Sequence, residues 1–340
     1  MTILITGGAG FIGSNFIRCF MNAHPDTRVI CLDSLTYAGN IATLREFLGK
    51  RNFKFVYGDI CDRDLVFRLF QKETPDIVVN FAAESHVDRS IDDPGIFLKT
   101  NIIGTSILLD ACRKYGVSHF HQISTDEVYG SSPSDDTASF FTENAPLNPS
   151  SPYSCSKASA DLLVLSYYHT YSLPISISRS SNNYGPSQFP EKLIPLTILN
   201  ILRNKPIPLY GNGLNVRDWL SVNDHCEAID LILQYGKTGE IYNIASHEEI
   251  RNIDLVKMIC SILGGEKGQI CYVKDRPGHD FRYGMDTKKI EALGWKRKTE
   301  LKRGIKETVQ WYLDHEDWWR SIMSGEYVHW NELNRNEFKF

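Results

Sequence analysis

The chain has 340 residues, 42% of them hydrophobic, 23% charged and 11% aromatic, which is enough apolar material for one large or two modest domains. Its net charge of −4, from 37 basic against 41 acidic residues with no block of like charge, gives no electrostatic footprint for nucleic acid or an anionic membrane. Any anionic ligand must be held by local positive charge.

In chain order, short β-branched runs at 3–6, 29–32, 53–57, 77–81, 119–124 and 175–178 predict strands, with amphipathic stretches between them. Leu65, Leu69 and Phe70 share one face of a predicted helix, and Ile102, Ile107, Leu108 and Leu109 do so in another. This alternation predicts an α/β, doubly wound, Rossmann-type parallel sheet with helices on both faces. After about residue 185 the rhythm breaks. Pro186, Pro190, Pro195, Pro206 and Pro208 crowd one stretch and Asp275-Arg276-Pro277-Gly278 forms a late turn, so a smaller, irregular C-terminal lobe is expected. The predicted division is 1–185 for the first domain, with a return of chain near 216–246, and 186–215 plus 247–340 for the second lobe. Residues 131–151, rich in Ser, Pro, Asp and Asn, predict a long surface loop.

No run reads as approaching the roughly 18–20 apolar residues that span a bilayer, and Met1-Thr2-Ile3-Leu4 enters an apolar strand directly. The expectation is a cytoplasmic, unprocessed chain with neither membrane nor nucleic acid as partner. The eight cysteines, at 19, 31, 61, 112, 155, 226, 260 and 271, form no CxxC pair, and Cys19, Cys31, Cys112 and Cys260 lie in apolar segments. Reduced thiols are expected. No metal site is expected, because His86 has no companions and His24, Asp26, His119 and His121 lack ligand spacing.

Thr6-Gly7-Gly8-Ala9-Gly10-Phe11-Ile12-Gly13 follows the first strand and opens a helix. Glycine at 7, 10 and 13 permits the tight turn, the approach of backbone to a pyrophosphate and close helix–sheet packing, while the helix N-terminus offers free N–H groups. A plain glycine-rich turn is the alternative, and the strand–loop–helix context argues against it. Asp33, twenty residues after Gly13, ends the second strand, where a carboxylate accepts from an adenosine ribose and repels a 2′-phosphate. With Ser34 beside it, NAD is favoured over NADP. Asp59, at the end of the third strand, is an adenine-side candidate.

Tyr153 and Lys157 form a YxxxK pair on one helical face, opening a helix after the fifth strand. With 16 tyrosines in the chain, about one such pair is expected by chance, so its weight comes from its position. A lysine ammonium and a nicotinamide cation would lower the tyrosine's pKa and make it a base for a sugar hydroxyl. Ser124-Thr125-Asp126-Glu127-Val128-Tyr129-Gly130 puts adjacent carboxylates at the same edge. In a structural role they would sit solvated in a loop. In a functional one their environments separate their pKa values, leaving one an acid and the other a base, which is equipment for eliminating water.

These residues resemble the extended short-chain dehydrogenase/reductases, and within them the NDP-glucose 4,6-dehydratases. The resemblance covers nearly the whole chain. It rests on TGGAGFIGSNF at 6–16, LTYAGN at 35–40, NFAAESHVDRSI at 80–91, STDEVYG at 124–130 and SPYSCSKASAD at 151–161. It continues through SSNNYGP at 180–186, FPEKLIP at 189–195, YGNGLNVRDWL at 210–220 and DRPGHDFRYGMD at 275–286. Ser34 and Ser187 depart from the usual Lys and aromatic or His.

The resemblance implies bound NAD and a nucleotide-sugar substrate, dTDP-glucose first. It implies that Thr125 bonds the sugar O4, Tyr153 takes the C4 hydroxyl proton, Lys157 holds the nicotinamide ribose, Glu127 removes the C5 proton and Asp126 protonates the departing C6 hydroxyl. Further cofactor contacts are implied for Phe11, Ile12, Ser34, Leu35, Thr36 and Ile60, and for Ala82, Ala83, Ser85, Thr100, Ser124 and Asn183. Arg217 and Arg276 suit a diphosphate clamp by guanidinium geometry. The implied substrate contacts add Ser85, Asn182, Glu191, Lys192, Leu193, Pro208, Tyr210, Asn252 and His279. A homodimer is expected, because the segments 99–115 and 153–171 carry apolar excess at Ile103, Leu162, Leu163, Leu165 and Tyr168, and the family pairs these helices into a four-helix bundle. A nucleotide-sugar 4-epimerase, a dehydratase of another nucleotide sugar and a non-catalytic NAD-sensing protein are the alternatives. The last usually lacks the Tyr-Lys pair or the glycine loop, both present here.

Overall fold

The computed structural model describes residues 1–132, 139–264, 269–335, 338 and 340. Six strands come first: β1 (Thr2–Thr6), β2 (Arg28–Asp33), β3 (Phe53–Tyr57), β4 (Ile77–Asn80), β5 (His119–Thr125) and β6 (Ile175–Ser180). Six shorter or later ones follow: β7 (Asn182–Tyr184), β8 (Ile207–Tyr210), β9 (Val216–Ser221), β10 (Glu240–Ile244), β11 (Glu249–Arg251) and β12 (Ile270–Val273). The main sheet has the order β10-β6-β5-β4-β1-β2-β3, and every pair in it is parallel. The chain is thus α/β with a Rossmann-type doubly wound sheet. Parallel strands need crossovers on both faces, so the central strands are apolar along their length: Ile3, Leu4 and Ile5 have no exposed surface.

β10 was not among the strands read from the sequence. Its run EIYNI carries Glu240 and Asn243 among the apolar residues. The buried Asn243 is tolerated because its Oδ1 accepts from Tyr129 Oη at 2.8 Å and its Nδ2 donates to Phe141 O at 3.0 Å, across the main chain of a distant loop. β6 runs two residues beyond the predicted end, to Ser180. Outside the main sheet, β11-β9-β7 and β12-β8 form two small sheets.

The strand order reverses about β1, whose neighbours are β2 and β4, and this opens a crevice at the carboxyl ends of β1 and β4. Thr6 Oγ1 donates to Asn80 Oδ1 at 2.6 Å, and Asn80 Nδ2 donates to Gln122 Oε1 at 2.9 Å, pinning β1, β4 and β5 side by side at that edge. Next to it stands the helix Pro152–Tyr171. Ser151 and Ser154 form a reciprocal capping box, Pro152 occupies the first turn and Ser172 ends the helix in the left-handed region. This fixes the start of the helix, and with it Tyr153 and Lys157.

By length and composition alone, the run Pro94–Tyr115 is long and apolar enough to cross a membrane, contrary to the sequence expectation. It passes because short elements join into one continuous rod: Pro94–Phe97, a π-helical stretch Leu98–Gly104, and Thr105–Tyr115. Half of its apolar window is buried inside the fold.

Behind β5 and β6 lies a buried ion pair, Arg179 Nε to Asp161 Oδ2 at 2.9 Å, with side chains 2% and 0% exposed. Arg179 also donates to Tyr129 Oη at 2.9 Å. Removing one member leaves an uncompensated charge in the core. Arg179→Met should therefore cost about 3–5 kcal/mol in denaturant unfolding, while Arg179→Met with Asp161→Leu recovers most of it. Equal losses in the single and double variants would contradict this account.

Candidate active site

The glycine loop lies against the start of the segment after β4. Gly7 has φ +67°, and a Cβ there would stand 2.5 Å from Ala82 N, so only glycine fits. A Cβ at Gly13 would meet Gly7 O at 2.4 Å. Gly10 precedes the helix Phe11–Ala23 with no side-chain cap, which leaves that N-terminus open to an anion. Asp33 ends β2, with Oδ2 accepting from Ala9 N at 2.9 Å and Oδ1 from Leu35 N at 2.7 Å. Burial raises its pKa, and those two N–H groups oppose the rise. A glycine cradle, an open helix end and a fixed acid at the end of the second strand fit a dinucleotide. Ser34, Leu35, Thr36 and Asp59 line one pocket between the ends of β2 and β3. Ile60 is a core residue, 3% exposed.

At the end of β5, Thr125 caps the short turn Asp126–Tyr129, accepting from Glu127 N at 3.2 Å and donating to Asp126 Oδ1 at 3.1 Å. Asp126 is 2% exposed and its Oδ2 has no partner. Burial pushes its carboxyl well above the usual range, and Glu127 pushes the same way. Burial also raises Glu127, but Arg276, Arg217 and Lys192 hold that rise back. The two adjacent acids therefore occupy unlike fields, rather than the solvated loop of the structural alternative.

Tyr153 and Lys157 are both buried beside them. Lys157 Nζ donates to Ile123 O at 2.5 Å, and burial lowers its pKa to about 8 against the pull of Asp161. Burial, then Glu127 and Asp126, raise the Tyr153 phenol, with Thr125 opposing. The expected lowering of Tyr153 by Lys157 does not prevail in the protein alone, because desolvation and two carboxylates outweigh it. A positive group bound nearby would act against both.

Chain that follows β6 also reaches this edge. Lys192 Nζ donates to Ser85 O at 3.1 Å, which links the FPEKLIP segment to the segment after β4. Glu191 Oε2 lies 3.4 Å from His86 Nε2. Leu193 opens the helix Leu193–Leu202, and Pro208 and Tyr210 lie on β8. Asn182 and Asn252 each keep a buried Oδ1 without a partner, as Ser124 keeps its Oγ. Asn183, in contrast, is spent locally: it bonds Ser180, Ser181 and His225. His279 Nδ1 pairs with Asp275 at 2.6 Å.

The two candidate clamp arginines differ. The Arg217 guanidinium donates to Val216 O, Phe281 O and Asp280 O, so much of its fork is used within the protein. Arg276 keeps a buried Nε without a partner and sits 3.6 Å from Asp88 through Nη1. That Nε remains free for a phosphate. Asp88 itself escaped the sequence reading. It accepts from Tyr210 Oη at 2.7 Å as well as facing Arg276, so it orients two residues of the other lobe. Its signal was its place in NFAAESHVDRSI, two residues past His86.

Residues 4–308 match the family model described as GDP-mannose 4,6 dehydratase. The dTDP-glucose 4,6-dehydratase of Salmonella typhimurium is 48% identical over 357 aligned positions, which cover 98% of this chain and 99% of that relative. The crystal structure of the dTDP-glucose 4,6-dehydratase from Streptomyces venezuelae, with NAD bound, superposes with a TM-score of 0.91 at 45% identity, covering 95% of this chain and 100% of that one. A UDP-glucose 4-epimerase from Thermus thermophilus, also with NAD, shares the fold at 30% identity and a TM-score of 0.85, over 93% of this chain and 100% of that one. On the extent of these matches, and on a sheet, glycine loop and acidic pair arranged as described, the chain belongs to the GDP-mannose 4,6 dehydratase family of nucleotide-sugar enzymes.

Proposed function

We propose that the protein is an NAD-dependent hydro-lyase that converts dTDP-glucose to dTDP-4-keto-6-deoxyglucose. The observation that carries the reading is Asp126: a buried carboxyl with a free oxygen, its pKa raised by burial and by Glu127, beside a second acid in a more cationic field. A dehydratase needs that pair and an epimerase does not.

Gly7, Gly10 and Gly13 would face the cofactor's diphosphate, Asp33 its adenosine ribose and Lys157 its nicotinamide ribose. When bound, NAD accepts hydride from sugar C4 and returns it to C6 in the same turnover, so no second redox substrate is required. Tyr153 takes the C4 hydroxyl proton, with Thr125 bonding that oxygen. The new C4 ketone acidifies the C5 proton, which Glu127 removes as base. Asp126 donates its proton to the leaving C6 hydroxyl and water departs; as hydride reaches C6, a solvent-derived proton returns to C5. Arg276 and Lys192 hold the diphosphate of the substrate, and Asn182, Asn252 and Tyr210 contact the rest of it. The division of labour is a cofactor domain at 1–185, to which chain near 216–246 returns, and a substrate lobe from 186–215 and 247–340. Eight free cysteines suit a reducing, cytoplasmic setting.

The working unit in this reading is a homodimer. Ile96, Leu98, Ile103 and Leu162 are 44–57% exposed on the two neighbouring helical segments. Leu163, Leu165 and Tyr168 instead pack partly on the core, so the seam is narrower than the sequence suggested. Two copies burying this strip would remove an apolar patch from water. Sedimentation at micromolar concentration should give a dimeric mass, and Leu162→Glu a monomeric one.

The chemistry is tested with dTDP-glucose deuterated at C4. Product should carry the label at C6 and one solvent hydrogen at C5, without stoichiometric NADH in solution. Label returning to C4 with inverted configuration would make the protein an epimerase.

The acidic pair is separated by substitution. Glu127→Gln should abolish exchange of the C5 proton with solvent, and Asp126→Asn should slow water loss while keeping that exchange, each by ~10²–10⁴-fold. Stability provides a second readout. The carboxyl of Asp126 titrates higher in the folded protein than its ordinary 3.8, so the unfolded chain gives up its proton first and stability is lost as pH rises above that value. Asp126→Asn lacks this linkage. Its thermal midpoint should exceed that of the native protein near neutrality, with the margin shrinking as pH falls toward about 4.

A further inference from the structure

The residues after Gly325 do more than end the chain. The helix Glu326–Arg335 returns from the second lobe to the loop that follows Asp33. Tyr327 Oη donates to Tyr37 O at 2.6 Å. Asn331, 1% exposed, spends both ends of its amide on the same loop: Nδ2 donates to Gly39 O at 2.9 Å and Oδ1 accepts from Ile41 N at 3.4 Å. That loop is drawn tightly round the acid, since a Cβ on Gly39 would lie 2.9 Å from Asp33 Oδ1, and Leu35 holds a φ of +47°. A non-glycine residue keeps such a backbone only when its surroundings enforce it: Asp33 Oδ1 holds Leu35 N at 2.7 Å, and Asn331 holds the same loop farther on, at Gly39 and Ile41.

Farther on, Phe338 O accepts from Tyr57 N at 2.9 Å, covering the open edge of β3, and the Phe338 ring meets Phe55 at 5.1 Å. Phe340 then lies with Lys54 Nζ at 4.8 Å and Lys72 Nζ at 4.6 Å from its ring centre. Its side chain is one wall of the pocket that Ser34, Leu35, Thr36 and Asp59 line. Those four are read above as cofactor contacts, with Asp59 on the adenine side and Asp33 next to them on the ribose, and this inference rests on that reading.

We propose that the C-terminal segment belongs to the cofactor site: Asn331 positions the loop that carries the adenosine contacts, and Phe340 provides an aromatic wall for the adenine base. Stacking a base on an aromatic ring is sequence-tolerant and holds it against escape, so the contribution falls mainly on release.

The test uses full-length holoenzyme and follows release of bound NAD. Phe340→Ala should speed release by roughly tenfold, and Phe340→Trp should restore the native rate. Asn331→Ala should also speed release, and where that variant folds poorly Asn331→Asp, which keeps the acceptor and loses the donor, takes its place. Affinity of the same holoenzymes for dTDP should not change. Unchanged release in Phe340→Ala, failure of Trp to rescue it, or an equal loss of dTDP affinity would overturn the proposal by making the segment merely structural. Native protein that neither carries nor takes up NAD would instead overturn the cofactor reading itself.

Discussion

The structure depends on the contact between the glycine loop and the segment that leaves β4. Gly7 lies so close to Ala82 that no side chain fits between them, and Thr6 and Asn80 bond across the gap just below. That closeness sets the width of the crevice at the ends of β1 and β4. From it follow the height at which Gly10 opens the first helix, and, through Asn80, Gln122 and Thr105, the alignment of β5 and of the helix Thr105–Tyr115. The catalytic turn begins where β5 ends. A displacement at Gly7 would therefore reach Thr125 and its two acids through hydrogen-bonded side chains, not through loose packing.

The acids themselves work against stability. Asp126, Glu127, Asp33 and Glu84 are all raised chiefly by burial, a set that a chain selected only for stability would not gather at one sheet edge. Partly unsatisfied atoms on Ser124, Asp126, Asn182, Asn252 and Arg276 add to the cost. Such groups persist where a ligand completes their bonding. The cations that restrain Glu127, namely Arg276, Arg217 and Lys192, all come from chain that follows β6, so the field that separates the two acids is assembled only when that chain is packed against the sheet edge. That dependence couples the folding of the irregular lobe to the chemistry at the sheet.

Much of this was legible in the sequence for identifiable reasons. Parallel strands are uniform apolar runs, so all six predicted strands start within one residue of their observed position and β3 matches throughout. The glycine loop and the i, i+4 Tyr-Lys pair are local, and local geometry survives translation from sequence. What escaped depends on distant partners. β10 hides because Asn243 is satisfied by Tyr129 and Phe141, more than a hundred residues away. Asp88 went unread because its partners, Tyr210 and Arg276, lie more than a hundred residues along the chain. Arg217 and Arg276 read alike in sequence, yet only the structure shows that one has its fork tied to three carbonyls.

The Tyr-Lys motif also extends one step further than its usual length. Asp161 lies four residues beyond Lys157, so Tyr153, Lys157 and Asp161 follow one another along a single face of the helix Pro152–Tyr171. Burial drags Lys157 down to about 8, and Asp161 is the group that resists. Arg179, from β6, pairs with Asp161 at 2.9 Å in the core. Near neutral pH Lys157 is thus still mostly an ammonium, and the cation beside the phenol persists. Without Arg179 the Asp161 carboxylate that supports Lys157 would lose its ion-pair partner in the core. A buried ion pair that looks purely structural therefore stands at the root of the proton-transfer site, one helix turn and one strand away from the reacting atoms.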